Sequence, residues 1–169
     1  MAARYAEKLH IVPLLAPAAS TAGDGVKSYA VRLKNTQWLS FLVNWGAMTS
    51  DVTELMTITV EATTAIGNST AATDTAIPFM YRLSGVPGTD DNWGDSTAAT
   101  ASGASVTALQ DNMAMIIDVD PASIPALDSD AIAVRLRLDA GDQISNYATT
   151  VTALIEDRYP QAEHISAST

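Results

Sequence analysis

Few side chains in this sequence are equipped for chemistry, and their spacing restricts what they could do. The two histidines, His10 and His164, sit near opposite ends of the 169 residues, and there is no cysteine. Thiolate nucleophiles and cysteine-metal clusters are thereby excluded. Neither histidine has another histidine close by in sequence, so each reads as a surface side chain rather than a ligand or a base. The GxSxG elbow of serine hydrolases is missing, as are the phosphate-cradling GxxxxGK[ST] and a GxGxxG following a strand. Carboxylates are plentiful, which leaves a glycosidase pair as the one catalytic arrangement that composition allows. Asp118 with Asp120, or Asp128 with Asp130, could also offer oxygen ligands to calcium. These aspartates flank a proline-containing turn and lack the EF-hand spacing, so capping and turn roles are expected of them. No catalytic residue, metal or cofactor is expected, and the chain reads as a non-enzyme.

The residue that calls for a function is Trp93. It stands alone in PGTDDNWGDSTAATASGAS, residues 87–105, a run of small and polar side chains with almost nothing else to bury. A loop tryptophan either folds back over its own domain or anchors a contact with another molecule. Asp90 and Asp91 precede it and belong to the same candidate surface. His10, near the start, and Arg158 and Tyr159, just past the last strand, complete the set of interface candidates. The last two would serve as a clasp on the domain or as a subunit contact. Trp38 and Trp45 lie inside a strongly apolar segment and are expected in the core.

The elements that must hold these residues are strands, because the apolar pattern has a period of two. Met56, Ile58 and Val60 alternate with Thr57, Thr59 and Glu61. Ile77, Phe79, Tyr81 and Leu83 point one way while Met80 and Arg82 point the other. Met113, Met115, Ile117 and Val119 form another inward row. Ile132, Val134, Leu136 and Leu138 form a fourth, with Arg135 and Arg137 outside. TQWLSFLVNW, residues 36–45, is apolar on both faces and predicts a central strand covered on each side. With LHIVPLL, VKSYAVRL and ATTVTALIED the count is about eight strands. The one helical hint is a single turn in DPASIPAL, capped by Asp120 and opened by Pro121. Residues 62–76 and 94–105 read as long surface loops. The predicted fold is all-β, an antiparallel β-sandwich or jelly-roll-like barrel. It forms a single β domain over 1–169, with 1–17 an N-terminal arm or first strand and 160–169 a C-terminal tail.

At 47% apolar residues, a chain of this length can bury an adequate core without disulfides. Nineteen acidic residues against nine basic ones leave a net charge of −10, a field that repels phosphate backbones, so no nucleic-acid partner is expected. No apolar run reaches the ~18 residues of a membrane-spanning helix, so no membrane association is expected. The start, MAARYAEKLHIVPLLAPAAS, faintly imitates a secretory signal. Glu7, His10 and Pro13 interrupt that pattern, and an extended arm is the better reading. Asn68-Ser69-Thr70 forms a glycosylation triplet with nothing else to indicate secretion.

From Phe79 onward the order of features resembles the head decoration (cement) proteins of tailed bacteriophages. Tyr81-Arg82 closes a strand, Trp93-Gly94 sits in the following loop, and Ile116 to Asp120 leads through a short turn to Val134 to Leu138. Arg158-Tyr159-Pro160 follows the last strand, and KLHIVPLL looks like the arm with which such proteins begin. The resemblance implies a structural virion protein on the outer capsid surface, made in the host cytoplasm. Its partners would be the major capsid protein, whose neighbouring subunits it bridges, and itself as a homotrimer at three-fold or quasi-three-fold positions. Repetition of one modest contact by symmetry would then supply strength. The residues themselves also admit a carbohydrate-binding or adhesin-like β-sandwich module, in which exposed aromatics beside Asp and Asn hold sugar rings.

Overall fold

β-branched and small polar residues alternate with larger apolar ones along most of the chain, and this pattern yields strands almost everywhere. The computed structural model describes residues 9–20, 25–47, 55–66, 73–86, 88–90, 92–107, 112–140 and 147–158. In chain order the strands are β1 (His10–Ser20), β2 (Val26–Lys27), β3 (Val31–Arg32), β4 (Thr36–Trp45), β5 (Leu55–Thr63) and β6 (Asp74–Ile77). There follow β7 (Phe79–Leu83), β8 (Thr97–Ala99), β9 (Ala104–Thr107), β10 (Ala114–Val119), β11 (Ala133–Ala140) and β12 (Tyr147–Asp157), with one helical turn, α1 (Ile124–Leu127), between β10 and β11. The fold is thus an all-β sandwich, but with more and shorter strands than the expected eight.

Six strands form one sheet in the order β1-β12-β4-β10-β7-β8. The other sheet runs β2-β11-β5-β6, with β3 also paired to β11 and β9 to β5. All pairings are antiparallel. Leu39, Phe41, Val43 and Trp45 of β4 meet Met115 and Ile117 of β10 in the core, against Met56, Ile58 and Val60 of β5 and Val134, Leu136 and Leu138 of β11. The inward rows on β5, β10 and β11 are therefore as the sequence predicts, from Val134 onward in β11. Ile132 precedes that strand and is exposed.

Prolines mark the edges and crossings. β1 is an edge strand that carries Pro13 and Pro17, and its register against β12 shifts twice, between Pro13 and Leu15 and between Leu15 and Ala18. Pro78 divides what the alternation predicts as one strand: Ile77 ends β6 in one sheet and Phe79 opens β7 in the other. Between β2 and β3 the ladder is interrupted, and Ser28 bridges the gap. Its N–H donates to the Leu136 carbonyl at 2.9 Å, while its hydroxyl accepts from the Leu136 N–H at 3.0 Å.

Three expectations are corrected. Arg135 does lie on the outer side of β11, but it is 0% exposed. Its guanidinium Nε donates to Glu61 at 3.3 Å and a terminal nitrogen donates to Asp74, while Lys27 reaches Asp74 at 2.6 Å. A closed group of two cations and two carboxylates satisfies the charge that burial would otherwise strand. Trp38 is not in the core: it is 44% exposed on the outer side of β4, a strand that its own chain covers fully on one face only. Residues 62–76 and 94–105 are no plain loops: Ala62 and Thr63 end β5 and Asp74 starts β6, while Thr97–Ala99 pair with β7 and Ala104 starts β9.

Candidate functional site

Trp93 reaches outward. It forms an isolated bridge with Ser84, just beyond β7, and its side chain is 41% exposed. Backbone hydrogen bonds close the loop around it: Gly94 N–H to the Leu83 carbonyl at 2.8 Å, Gly85 N–H to the Asn92 carbonyl at 2.8 Å, and Asp90 N–H to the Val86 carbonyl at 3.0 Å. The Asp90 carboxylate accepts from both the backbone and the side-chain nitrogen of Asn92, at 3.0 and 2.8 Å. Gly85 permits this tight return, because a Cβ there would lie 2.7 Å from Asp90. The indole is therefore held on a braced turn beside a groove of about 450 Å³, lined by Asn44, Ser84, Asp90 and Asn112 among others.

His10 and Arg158 lie elsewhere. His10 opens β1 opposite Ile155, and the exposed Arg158 donates its backbone N–H to the Asn35 carbonyl at 2.8 Å. Both sit toward the Thr36 end of β4, whereas the Trp93 groove is at the Trp45 end, roughly 30 Å away at ~3.3 Å per residue. The sequence-derived candidates thus form two groups at opposite ends of one sheet. Asp91, Tyr159 and His164 lie outside the described residues, as do Asn68-Ser69-Thr70 and the tail 160–169.

Between the two groups runs the outer face of the six-stranded sheet. Directly paired residues share a face, so the registers trace it in rows. Ile11, Leu154, Ser40, Asp118 and Met80 form one row, and Pro13, Thr152, Leu42, Ile116 and Arg82 the next. Asn44, Ala114, Ser84 and Trp93 follow at the groove end. Eight large hydrophobic side chains are exposed among the described residues, and four of them, Ile11, Trp38, Met80 and Trp93, are on this face. Trp38 is fixed there: its indole N–H donates to Ser40 at 3.1 Å, and the Ser40 hydroxyl donates to Asp118 at 2.6 Å. The indole's polar atom is already satisfied within the chain, which leaves its apolar surface free for contact.

No family model, curated protein or solved structure matches this chain.

Two of the aspartates that could have offered ligands have structural tasks. Asp120 accepts from the Ala122 N–H at 2.9 Å in the turn ahead of α1, whose N-cap is Ser123 rather than the expected Asp120, and Asp128 accepts from the Thr75 hydroxyl at 2.7 Å and from the Asp130 N–H at 3.1 Å. Among the described residues, no three His, Asp or Glu side chains converge as a metal site would require, and no helix is long and apolar enough to cross a membrane. Sequence reasoning singled out Trp93 and Asp90 but missed Trp38, Ile11 and Met80. The signal for the missed face was the two-sided apolarity of TQWLSFLVNW, read as burial by the chain's own elements.

Proposed function

We propose that this chain is a structural virion protein of the decoration type, which stabilises a tailed-phage capsid by bridging neighbouring major capsid subunits on its outer surface. The observation that carries this reading is the Trp93 loop: an exposed aromatic on a turn braced by backbone hydrogen bonds in a β-sandwich, flanked by motifs whose order resembles that of decoration proteins. Tryptophan is enriched among interface hot spots because it buries a large area while fixing few torsions. Assembly as a homotrimer, placed over a symmetry axis of the shell, would multiply such a contact.

Trp93→Ala tests this. Retention on expanded, empty heads is expected to weaken by at least about 2 kcal/mol, the scale of a hot spot, with the circular dichroism spectrum unchanged. Undiminished retention of a folded variant removes Trp93 from the interface.

The groove supports a second reading, a carbohydrate-binding or adhesin-like module. An exposed indole beside Asp90, Asn44 and Asn112 offers a stacking face with polar groups at its margin. Retention by a polysaccharide, lost in Trp93→Ala and accompanied by indifference to phage heads, would favour it.

A further inference from the structure

We infer that the outer face of the six-stranded sheet, with the Trp93 loop at its border, is the surface that docks, and that its occupant is a protein surface apolar at the centre and basic at the rim. This deepens the decoration reading and rests on it, the occupant then being the outer side of the capsid shell. The face has the physical marks of an interface. Leu42, Ile116 and Leu154 are half-buried at its centre, and Ile11, Trp38 and Met80 stand exposed around them. An isolated sandwich has no folding reason to collect apolar side chains on the face turned away from its own core, since antiparallel sheets ordinarily turn a polar face to water. The hydrogen bonds from Trp38 to Ser40 and from Ser40 to Asp118 fix the largest of these side chains before any partner arrives, which reduces the ordering cost of binding.

Charge selects the occupant, and area sets how it must be held. From β1 across to β7 the face spans four strand spacings and about six residues along each strand, or roughly 400 Å². Two copies packed face to face would bury about 800 Å² in total, below the ~1,200 to 2,000 Å² of a stable specific interface. They would also bring together two chains of net charge −10, with Asp118 and Glu156 against Arg82 among the described residues of the paired rows. A partner that presents basic groups to Asp118 and Glu156 meets no such repulsion. A contact of this size becomes durable when a lattice repeats it and several copies engage together.

The test uses the full chain and three charge insertions: Leu42→Lys and Met80→Lys on the face, and Ile132→Lys at an exposed site at the start of β11. Each is checked for folding by circular dichroism and thermal melting. Met80, already exposed, serves as the second probe should Leu42→Lys fail to fold. Purified expanded, DNA-free heads of the phage that carries this chain are the probe, with co-sedimentation as the readout. The expected result is retention of the native chain and of Ile132→Lys, with at least about tenfold weaker retention of each folded face variant. Equal retention of all variants overturns the inference while leaving the decoration reading intact. Failure of the native chain to bind overturns the reading and, with it, the occupant. A solution oligomer that dissociates in the face variants assigns the face to a second copy, which also overturns the inference.

Discussion

Arg135 carries a full charge into a place with no solvent, and its neighbours show why the fold tolerates it. Glu61 on β5 and Asp74 on β6 are held within reach by the β5 pairings, and Lys27 closes the group from β2. Removing the guanidinium leaves two carboxylates with a single partly exposed lysine. Arg135→Met is therefore expected to cost about 3 to 5 kcal/mol in denaturant unfolding. A loss under 1 kcal/mol would show that the cluster contributes little. For Asp74, burial pushes the pKa up, but hydrogen bonds from Lys27 and Arg135 outweigh it and hold the carboxyl below its ordinary value of 3.8. A depressed carboxyl pKa stabilises the fold at pH values above the unfolded pKa, and that contribution is lost as pH falls through the folded value. Asp74→Asn is thus expected to be less stable than the native chain at neutral pH, with the gap narrowing as pH drops below about 4. A constant gap down to acid would contradict the assignment. The sequence showed Arg135 on the outer side of its strand but gave no sign of the burial, because the cluster joins residues 27, 61, 74 and 135, which only the sheet brings together. Trp38 went astray for the complementary reason: an apolar pattern reports that a face avoids water, not whose atoms cover it.

At the scale of elements, the chain's turns decide which sheet each strand joins. Gly103 sits where the chain passes from β8 in one sheet to β9 in the other, with φ of +92° and its N–H donating to the Thr100 carbonyl at 3.0 Å. A Cβ there would lie 2.6 Å from the Ile58 carbonyl oxygen. Gly103→Ala combines an unfavourable backbone angle with a clash against β5, and thermal or denaturant melts are expected to show a loss of about 1 to 3 kcal/mol. An unchanged melting midpoint would mean that the crossing adjusts freely. The long segments were legible from residue types alone: β5, β10 and β11 fall where period-two patterning places them, and β4 and β12 lie in the two apolar segments read as strands. Short strands were not. β8 is Thr-Ala-Ala inside a low-complexity run, and β2 and β3 are two residues each, too brief for periodicity to register. Pro78 could have signalled the break between β6 and β7, but the flanking alternation outweighed it.

Among the described residues, the six-stranded sheet presents an apolar outer face within a strongly acidic chain. If the partner surface is basic at its rim, attraction between the two is screened as ionic strength rises, while apolar contact is not weakened. Retention on heads is therefore expected to fall between about 0.05 and 0.5 M salt without being abolished. Retention that is unaffected by salt would remove the charge component of the partner assignment. The Trp93 groove and the His10 and Arg158 end bracket this face, and the sequence reading named contact candidates at both ends but none of the apolar side chains between them. The most direct measurement is a reconstruction of the virion at a resolution that shows strands. A two-sheet density is expected on the outside of the shell, with the sheet containing β4 turned toward the capsid and Trp38 and Trp93 at the contact. Absence of that density from the particle, or a sandwich seated with its other sheet against the shell, would contradict it.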